Sequence, residues 1–249
     1  MSLVTPSEVE SARATLWTPR WQFGDGDIRF RYELGGGALL DLGCYTASAL
    51  WRIFGDLPEE CEECVVEKGP GDGTCDRAYK TRYRFGEGRK GEMEGDLQTP
   101  LGRIWPNLEV VHRPVAVDDP EKHSVEKGQD LVRTRRIKMA NYVQPAYFHS
   151  IEVQDLFEVR EKGGGNVVKK WTEKRTVKAY TFEEAGLDGP GEAFWTTWRH
   201  QLEVFVDRVR GRDVCRWVGG EDSIKTMKMI DMAYGVSGLP ARPTSQFKI

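Results

Sequence analysis

The chain has 249 residues, with 36 Lys and Arg against 39 Asp and Glu, so its net charge at pH 7 is −3. This length and apolar content suffice to bury a large core, and we predict one domain over residues 1–249. The near-neutral charge argues against binding nucleic acid or anionic membranes. No apolar run approaches the roughly 18 residues that cross a bilayer, and no secretory signal opens the chain, so we expect a soluble, cytoplasmic protein.

The first predicted elements are a strand, a turn and a helix. Residues 13–23 alternate enough to predict a strand, which Pro19 interrupts, and residues 24–27 carry a turn signal. A helix is predicted from the triple glycine at 35–37 to Phe54, because apolar residues recur at helical spacing and Gly55 supplies a stop.

Beyond Gly55 the pattern changes to short extended runs separated by glycine clusters. The runs at 78–85 and 91–97 predict a hairpin, and those at 151–160 and 167–179 predict a long antiparallel pair. Further strands are predicted at 61–67, 108–113 and 131–139, the last with basic residues on one wet face. The charged stretch 118–129, which holds Pro120, predicts a loop excursion.

The C-terminal part is predicted to be helical again. A broad apolar stripe begins near Glu192 and ends at Gly211, and a second helix runs from about Asp222 to Gly238. Trp195 and Trp198, on the first of these helices, are interpreted as core residues rather than as a substrate wall. The order of elements predicts an α+β fold: a large, mostly antiparallel open sheet with helices packed on one face.

The long strands between 131 and 179 carry more apolar residues than a solvated sheet face needs. We therefore predict a homodimer through the sheet face, with coverage by the chain itself as the alternative. The residues that motivate this prediction are Met139, Tyr142, Phe148, Leu156, Phe157 and Val159.

The cysteines and histidines predict no metal site. Five cysteines are an odd number scattered through the chain, which indicates reduced thiols rather than a disulfide framework. Cys61 and Cys64 form a CxxC pair, but no second pair or histidine follows at ligand spacing. The four histidines show no spacing typical of a metal site or a catalytic triad.

Asp41 and Tyr45 are polar residues on the otherwise apolar first helix. Their spacing of four places a carboxylate and a phenol on one face. A phenol can take the proton of an alcohol during oxidation, but Asp41 nearby would raise its pKa, so a cation is needed from elsewhere. Alternatively, Tyr45 is a core tyrosine bonded to a backbone carbonyl, and Asp41 complements the helix dipole.

The run GGGALLDLGCY at 35–45 resembles the start of the second domain in the glucose-fructose oxidoreductase, inositol dehydrogenase and MocA family. With Tyr in the last place, it looks most like the dihydrodiol dehydrogenase and sugar dehydrogenase branch, and residues 194–243 are similar to that branch's closing helices. The resemblance implies a glyceraldehyde-3-phosphate-dehydrogenase-like C-terminal domain that acts on a sugar or a cyclic trans-diol. Its implied site residues are catalytic Tyr45 and Asp41 and the substrate-binding residues Gly36, Gly37, Trp17 and Arg20.

The family's NAD or NADP site is not recognisable in this sequence. The glycines at 35–37 and 86–91 do not open a strand–GxGxxG–helix unit, and the family's Glu-Lys-Pro motif, whose Lys serves Tyr45, is missing. We therefore expect the substrate-binding half of a two-domain enzyme, which binds no cofactor alone and needs a nucleotide-binding domain as partner. Asp41 then accepts a substrate hydroxyl or orients that Lys. The alternative is a non-catalytic dimeric scaffold or ligand sensor.

Overall fold

The computed structural model describes residues 3–70, 73–100, 105–117, 125–126, 128–163, 165–214 and 217–240. Within these ranges the strands are β1 Val9–Pro19, β2 Glu60–Lys68, β3 Asp76–Phe85, β4 Arg89–Thr99, β5 Asn107–His112, β6 Val115–Ala116, β7 Gln129–Ala140, β8 Ser150–Glu161 and β9 Val167–Val177. The helices are α1 Ala38–Asp41, α2 Gly43–Phe54, α3 Thr197–Val209 and α4 Gly220–Ser237.

The chain divides into two compact units. The helical unit comprises Ala12–Leu108 and Val218–Ile249, and the strand unit comprises Met1–Ser11 and Glu109–Trp217. The helical unit therefore holds α1, α2 and α4 with strands β2, β3 and β4 and most of β1. The strand unit holds β6 to β9 and α3.

In the helical unit, the strand order is β2-β3-β4-β1, and β3 pairs antiparallel with both β2 and β4. Alternate residues of β3 face the helices: the Tyr79 hydroxyl shares a 2.9 Å hydrogen bond with Thr46, and Tyr83 donates to the Met229 carbonyl at 2.8 Å. Burying each aromatic ring while bonding its hydroxyl removes apolar surface from water without stranding a polar group. These contacts fix α2 and α4 on one sheet face.

Asp76 anchors the start of the first helix. Its carboxylate is fully buried, and it accepts hydrogen bonds from the Leu39 backbone N–H at 2.5 Å and from the Tyr234 hydroxyl at 2.9 Å. The first N–H groups of a helix have no partner inside it, so Asp76 satisfies one that burial would otherwise make costly. The segment that carries Asp41 is thereby held against both the sheet and α4.

In the strand unit, β7, β8 and β9 form antiparallel pairs, and β6 pairs with the edge of β7. One face buries a cluster of Leu131, Phe157 and Val159, with the Trp171 ring stacked on Phe157 at 5.2 Å between centroids. Beside this cluster, Arg135 donates two hydrogen bonds to Asp155, at 2.7 and 2.9 Å. The prediction that Arg135 lies on a solvent-exposed face of β7 is thus wrong. Arg135 is buried, and Asp155 on β8 neutralises its charge there.

The predicted α+β class, with a large, mostly antiparallel open sheet and helices on one face, is confirmed. The first strand, however, runs from Val9 rather than Arg13 and ends at Pro19, which cannot donate to a strand ladder. The first C-terminal helix begins at Thr197, whose preceding residue Thr196 caps it, rather than at Glu192. Most of the predicted excursion at 118–129 lies outside the described residues.

The helix α3 corrects another prediction. None of its residues is buried, and Trp198, interpreted from the sequence as core, is 66% exposed. Trp195, one residue before the cap, is partly buried and packs against His200 with 5.2 Å between ring centroids. No helix in the described part of the chain is both long and apolar enough to cross a membrane.

Candidate active site

The glycine-rich turn is bonded to the segment that precedes it. The Gly36 N–H donates to the Arg31 carbonyl at 2.9 Å, and the Gly37 N–H donates to the Arg29 carbonyl at 2.8 Å. A Cβ at position 36 would lie 2.7 Å from the Arg29 carbonyl oxygen, and Gly37 has a φ of 129°, a backbone conformation that side chains disfavour. The glycines therefore hold the Arg29 backbone beside the start of α1.

Asp41 ends α1 at a shallow cavity of about 240 Å³. The cavity is lined by residues from the preceding segment, the glycine turn and α1, namely Ile28, Arg29, Leu34, Gly35, Gly36, Leu40 and Asp41. Two of the predicted site residues, Asp41 and Gly36, thus share one concave surface. Gly37 follows directly and starts the helix as its N-cap residue.

Arg29 is a site residue that the sequence interpretation missed. Its Nε donates to Asp41 Oδ2 at 3.0 Å and its Nη1 donates to Asp27 Oδ1 at 3.1 Å. The guanidinium carbon also lies 4.0 Å from the centre of the Phe23 ring. Twelve positions separate Arg29 from Asp41, and no periodic spacing links them, so only the fold reveals the pair.

Tyr45 lies one turn beyond Asp41, on α2, with 48% of the residue exposed. The alternative of a buried core tyrosine is therefore wrong. Burial raises the pKa of Tyr45, and the neighbouring Cys44 and Asp41 raise it further. The charge of Arg29 lowers this pKa, but the net shift is upward. The predicted direction of the Asp41 effect is confirmed, and Arg29 is a cation in this chain that opposes it.

Trp17 and Arg20 lie elsewhere in the described structure. Trp17 lines a separate cavity of about 340 Å³ on β1 to β4, together with the acidic residues Glu63, Glu67, Glu94 and Asp96. Arg20 is exposed just after β1, and its backbone N–H donates to the Thr99 carbonyl at 3.3 Å. Neither lines the cavity at Asp41.

Neither glycine cluster has the geometry of a dinucleotide-binding turn. Gly86–Gly88 form a short 3₁₀ turn inside the β3–β4 hairpin, so no helix N-terminus follows to receive a pyrophosphate. Gly35 to Gly37 follow a 3₁₀ turn rather than a strand. Within the described ranges, no group of three His, Cys, Asp or Glu side chains is placed to hold a metal ion.

Less than half of the chain matches the model of a known protein family. Residues 5–112, which carry β1, the glycine turn, α1, α2 and strands β2 to β5, match the GFO/IDH/MocA C-terminal domain. This part of the chain is therefore similar to the C-terminal domain of the GFO/IDH/MocA oxidoreductases, as the run at 35–45 predicted. A search of curated proteins found no match.

Several solved structures share the fold. KijD10, a 3-ketoreductase from Actinomadura kijaniata in complex with NADP and TDP-benzene, is 16% identical with a TM-score of 0.54, over 92% of this chain and 54% of that one. An aldose-aldose oxidoreductase from Caulobacter crescentus complexed with glycerol is 16% identical with a TM-score of 0.58, over 92% and 53%. The chain thus spans about half the length of these structures.

Proposed function

We propose that this chain is the substrate-binding and catalytic domain of an NAD(P)-dependent oxidoreductase that acts on a sugar or a cyclic trans-diol. The observation that carries the proposal is the exposed Tyr45 phenol one helical turn from the Asp41–Arg29 ion pair at the cavity. The names of KijD10 and of the aldose-aldose oxidoreductase agree with such a reaction class.

Tyr45 is the proposed acid/base. Interconversion of an alcohol and a carbonyl requires a group that takes or returns the hydroxyl proton, and the exposed phenol of Tyr45 can do so. Asp41 is proposed to accept a hydrogen bond from a second substrate hydroxyl through an oxygen that Arg29 leaves available, because Arg29 donates only to Oδ2. Gly36 and Gly37 are proposed to contact the substrate through the backbone of the turn, because Gly36 lines the same cavity as Asp41.

The charge of the cavity favours an uncharged substrate. Arg29 is flanked by two carboxylates, Asp27 and Asp41, so the three groups together carry one net negative charge. A sugar acid or sugar phosphate would be repelled, whereas a polyol can donate to Asp41 without that cost. A neutral hexose should therefore bind the site more tightly than the corresponding hexuronic acid.

The dinucleotide is proposed to come with a separate nucleotide-binding domain, because neither glycine turn of the described residues joins a strand to a helix as a dinucleotide site does. The assembled enzyme would then place its nicotinamide cofactor opposite Tyr45, and this chain alone would bind substrate without turning it over. Trp17 and Arg20 stay predicted substrate contacts. The single domain, the homodimer through the sheet face and the cytoplasmic location also stay predictions.

The test is replacement of Tyr45 by Phe in the enzyme assembled with its nucleotide-binding domain. We expect kcat to fall by about 10²- to 10⁴-fold with little change in KM, the range for loss of a positioned acid or base. Tyr147→Phe is the matched control, because Tyr147 is exposed and lies in the strand unit. Unchanged turnover in Tyr45→Phe would refute the acid/base role and favour the scaffold or sensor.

A further inference from the structure

We propose that Arg29 is a positioning residue of this site, which orients the Asp41 carboxylate and supplies the positive charge that offsets Asp41 at Tyr45. Its effect on turnover rests on the proposed function. Its electrostatic effect on Tyr45 belongs to the folded chain and is measurable without a cofactor or a substrate.

The first argument is the restraint on the Arg29 side chain. An exposed arginine ordinarily samples many rotamers, and a surface ion pair contributes little for that reason. Here Nε is bonded to Asp41, Nη1 is bonded to Asp27, and the guanidinium plane covers Phe23. The fork of donors therefore meets two carboxylates at once, which is the geometry that distinguishes Arg from Lys.

The second argument is the restraint on the Arg29 backbone. Asp27 accepts a hydrogen bond from the Arg29 N–H at 2.9 Å, and the Arg29 carbonyl accepts one from Gly37 at 2.8 Å. The Arg29 main chain is thus hydrogen-bonded on both sides of its Cα, through the N–H to Asp27 and through the carbonyl to Gly37 at the start of α1. The guanidinium position is built into the fold of the glycine turn.

The third argument is the arrangement of charge around Tyr45. Among the described residues, the groups that act on the Tyr45 hydroxyl are Cys44, Asp41 and Arg29, of which only Arg29 favours the phenolate. Asp27 balances the far side of the guanidinium. Removal of Arg29 would leave the charge of Asp41 unopposed, so the phenol would become a weaker acid.

Arg29 also has a donor left for a ligand. Within the described residues, its hydrogen bonds use N, Nε and Nη1, and no side chain or carbonyl accepts from Nη2. Because Arg29 lines the cavity beside Asp41, a substrate hydroxyl or carbonyl oxygen there can accept from it. A donor from Arg29 and an acceptor on Asp41 would recognise adjacent oxygens of a polyol.

The decisive measurement is the pKa of Tyr45 in this chain, followed by the ¹³Cζ resonance of labelled tyrosine and assigned with Tyr45→Phe. We expect Arg29→Gln to shift that pKa upward, and Arg29→Lys to restore part of the shift because it keeps the charge but loses the fork. The double variant Arg29→Gln with Asp41→Asn should return toward the original value, since the opposing carboxylate is then gone.

The matched control is Arg31→Gln, because Arg31 lies two residues away and its exposed side chain pairs with Glu33 instead. It should leave the pKa of Tyr45 unchanged. Circular dichroism shows whether each variant is folded, so that a pKa change caused by lost charge is not confused with unfolding. If Arg29→Gln does not fold, the pKa of Tyr45 is measured in Arg29→Lys instead. A merely structural role would produce no reversal by Asp41→Asn.

In the assembled enzyme, Arg29→Gln should move the pH dependence of kcat toward higher pH, in step with the pKa of Tyr45. An unchanged Tyr45 pKa in folded Arg29→Gln would overturn the inference whatever the enzyme does. If the pKa shifts as expected but Tyr45→Phe retains full turnover, the electrostatic role of Arg29 stands and the proposed catalytic function fails.

Discussion

Tyr234, on the last helix, donates a hydrogen bond to the buried carboxylate of Asp76, 158 positions earlier in the chain, at 2.9 Å. The other oxygen of Asp76 accepts the Leu39 backbone N–H at the start of α1. One carboxylate thus ties α4 and the site-bearing helix to the first residue of β3. The position of Asp41 depends on this junction, although Asp76 does not itself line the cavity.

Removal of the Tyr234 hydroxyl should therefore weaken the helical unit. We expect Tyr234→Phe to lower the free energy of unfolding by about 1–3 kcal/mol, since it removes a hydrogen bond to a buried carboxylate. Urea unfolding followed by circular dichroism measures the change. Tyr147→Phe, which alters an exposed phenol, should change stability by less than about 0.5 kcal/mol. Equal midpoints for the two variants would contradict this account.

Gly36→Ala should distort the candidate site. Its new Cβ would lie within 2.8 Å of three backbone atoms of Arg29 and Arg31, and backbone cannot move aside as a flexible side chain can. We expect a loss of about 1–3 kcal/mol in the free energy of unfolding, together with shifted amide resonances at residues 29–41. Gly24→Ala is the control, since nothing lies within 4 Å of its Cβ position. A spectrum unchanged in Gly36→Ala would refute the steric argument.

The buried ion pair of the strand unit should respond asymmetrically to substitution. Asp155→Ala strands Arg135 in a buried position and should cost about 3–5 kcal/mol of unfolding free energy. The double variant Arg135→Met with Asp155→Leu removes both charges and should recover most of that loss. Thermal and urea unfolding of the original chain, of Asp155→Ala and of the double variant measures these changes in free energy. A double variant as unstable as Asp155→Ala would show that the ion pair itself is strongly stabilising.

The same pair predicts a loss of stability in acid. Burial alone would raise the pKa of Asp155, but the hydrogen bonds and charge of Arg135, with Arg175, outweigh it and lower the pKa below 3.8. The folded state then binds its proton less readily than the unfolded state does. The contribution is complete above pH 3.8 and is lost as the pH falls through the lower folded pKa. Asp155→Asn should flatten this part of the stability curve.

Three thiols should be slow to react. Burial raises the pKa of Cys44 and Cys61 to about 11 and that of Cys64 to about 12. At pH 8 roughly a thousandth or less of each is thiolate, the reactive form. Iodoacetamide, with peptide mapping by mass spectrometry, should label them far more slowly in the native chain than in urea. Rapid native labelling of Cys64 would contradict its burial.

The local pattern of the sequence determined much of the fold. The helical segment up to Phe54 and the β3–β4 hairpin could be predicted, because each depends on a pattern among neighbouring residues. These patterns are the glycines at 35–37, the helical spacing of apolar residues and the alternation along the strands. The spacing of four between Asp41 and Tyr45 predicted one shared helix face, but Asp41 ends α1 and Tyr45 lies on α2. Where one helix was predicted up to Phe54, the structure has two, and the Tyr45 N–H donates to the Leu42 carbonyl at 3.2 Å rather than to the Asp41 carbonyl.

Tertiary structure alone decided which polar groups meet. Arg29 joins Asp41 because the glycine turn folds back on residues 29–31, and three arginines between 29 and 52 have the same appearance in sequence. The exposed Trp198 and the buried Arg135 also differ from their sequence interpretation. Periodicity says which residues share a face, but whether that face is covered, and by which charge, depends on chain segments far apart in sequence.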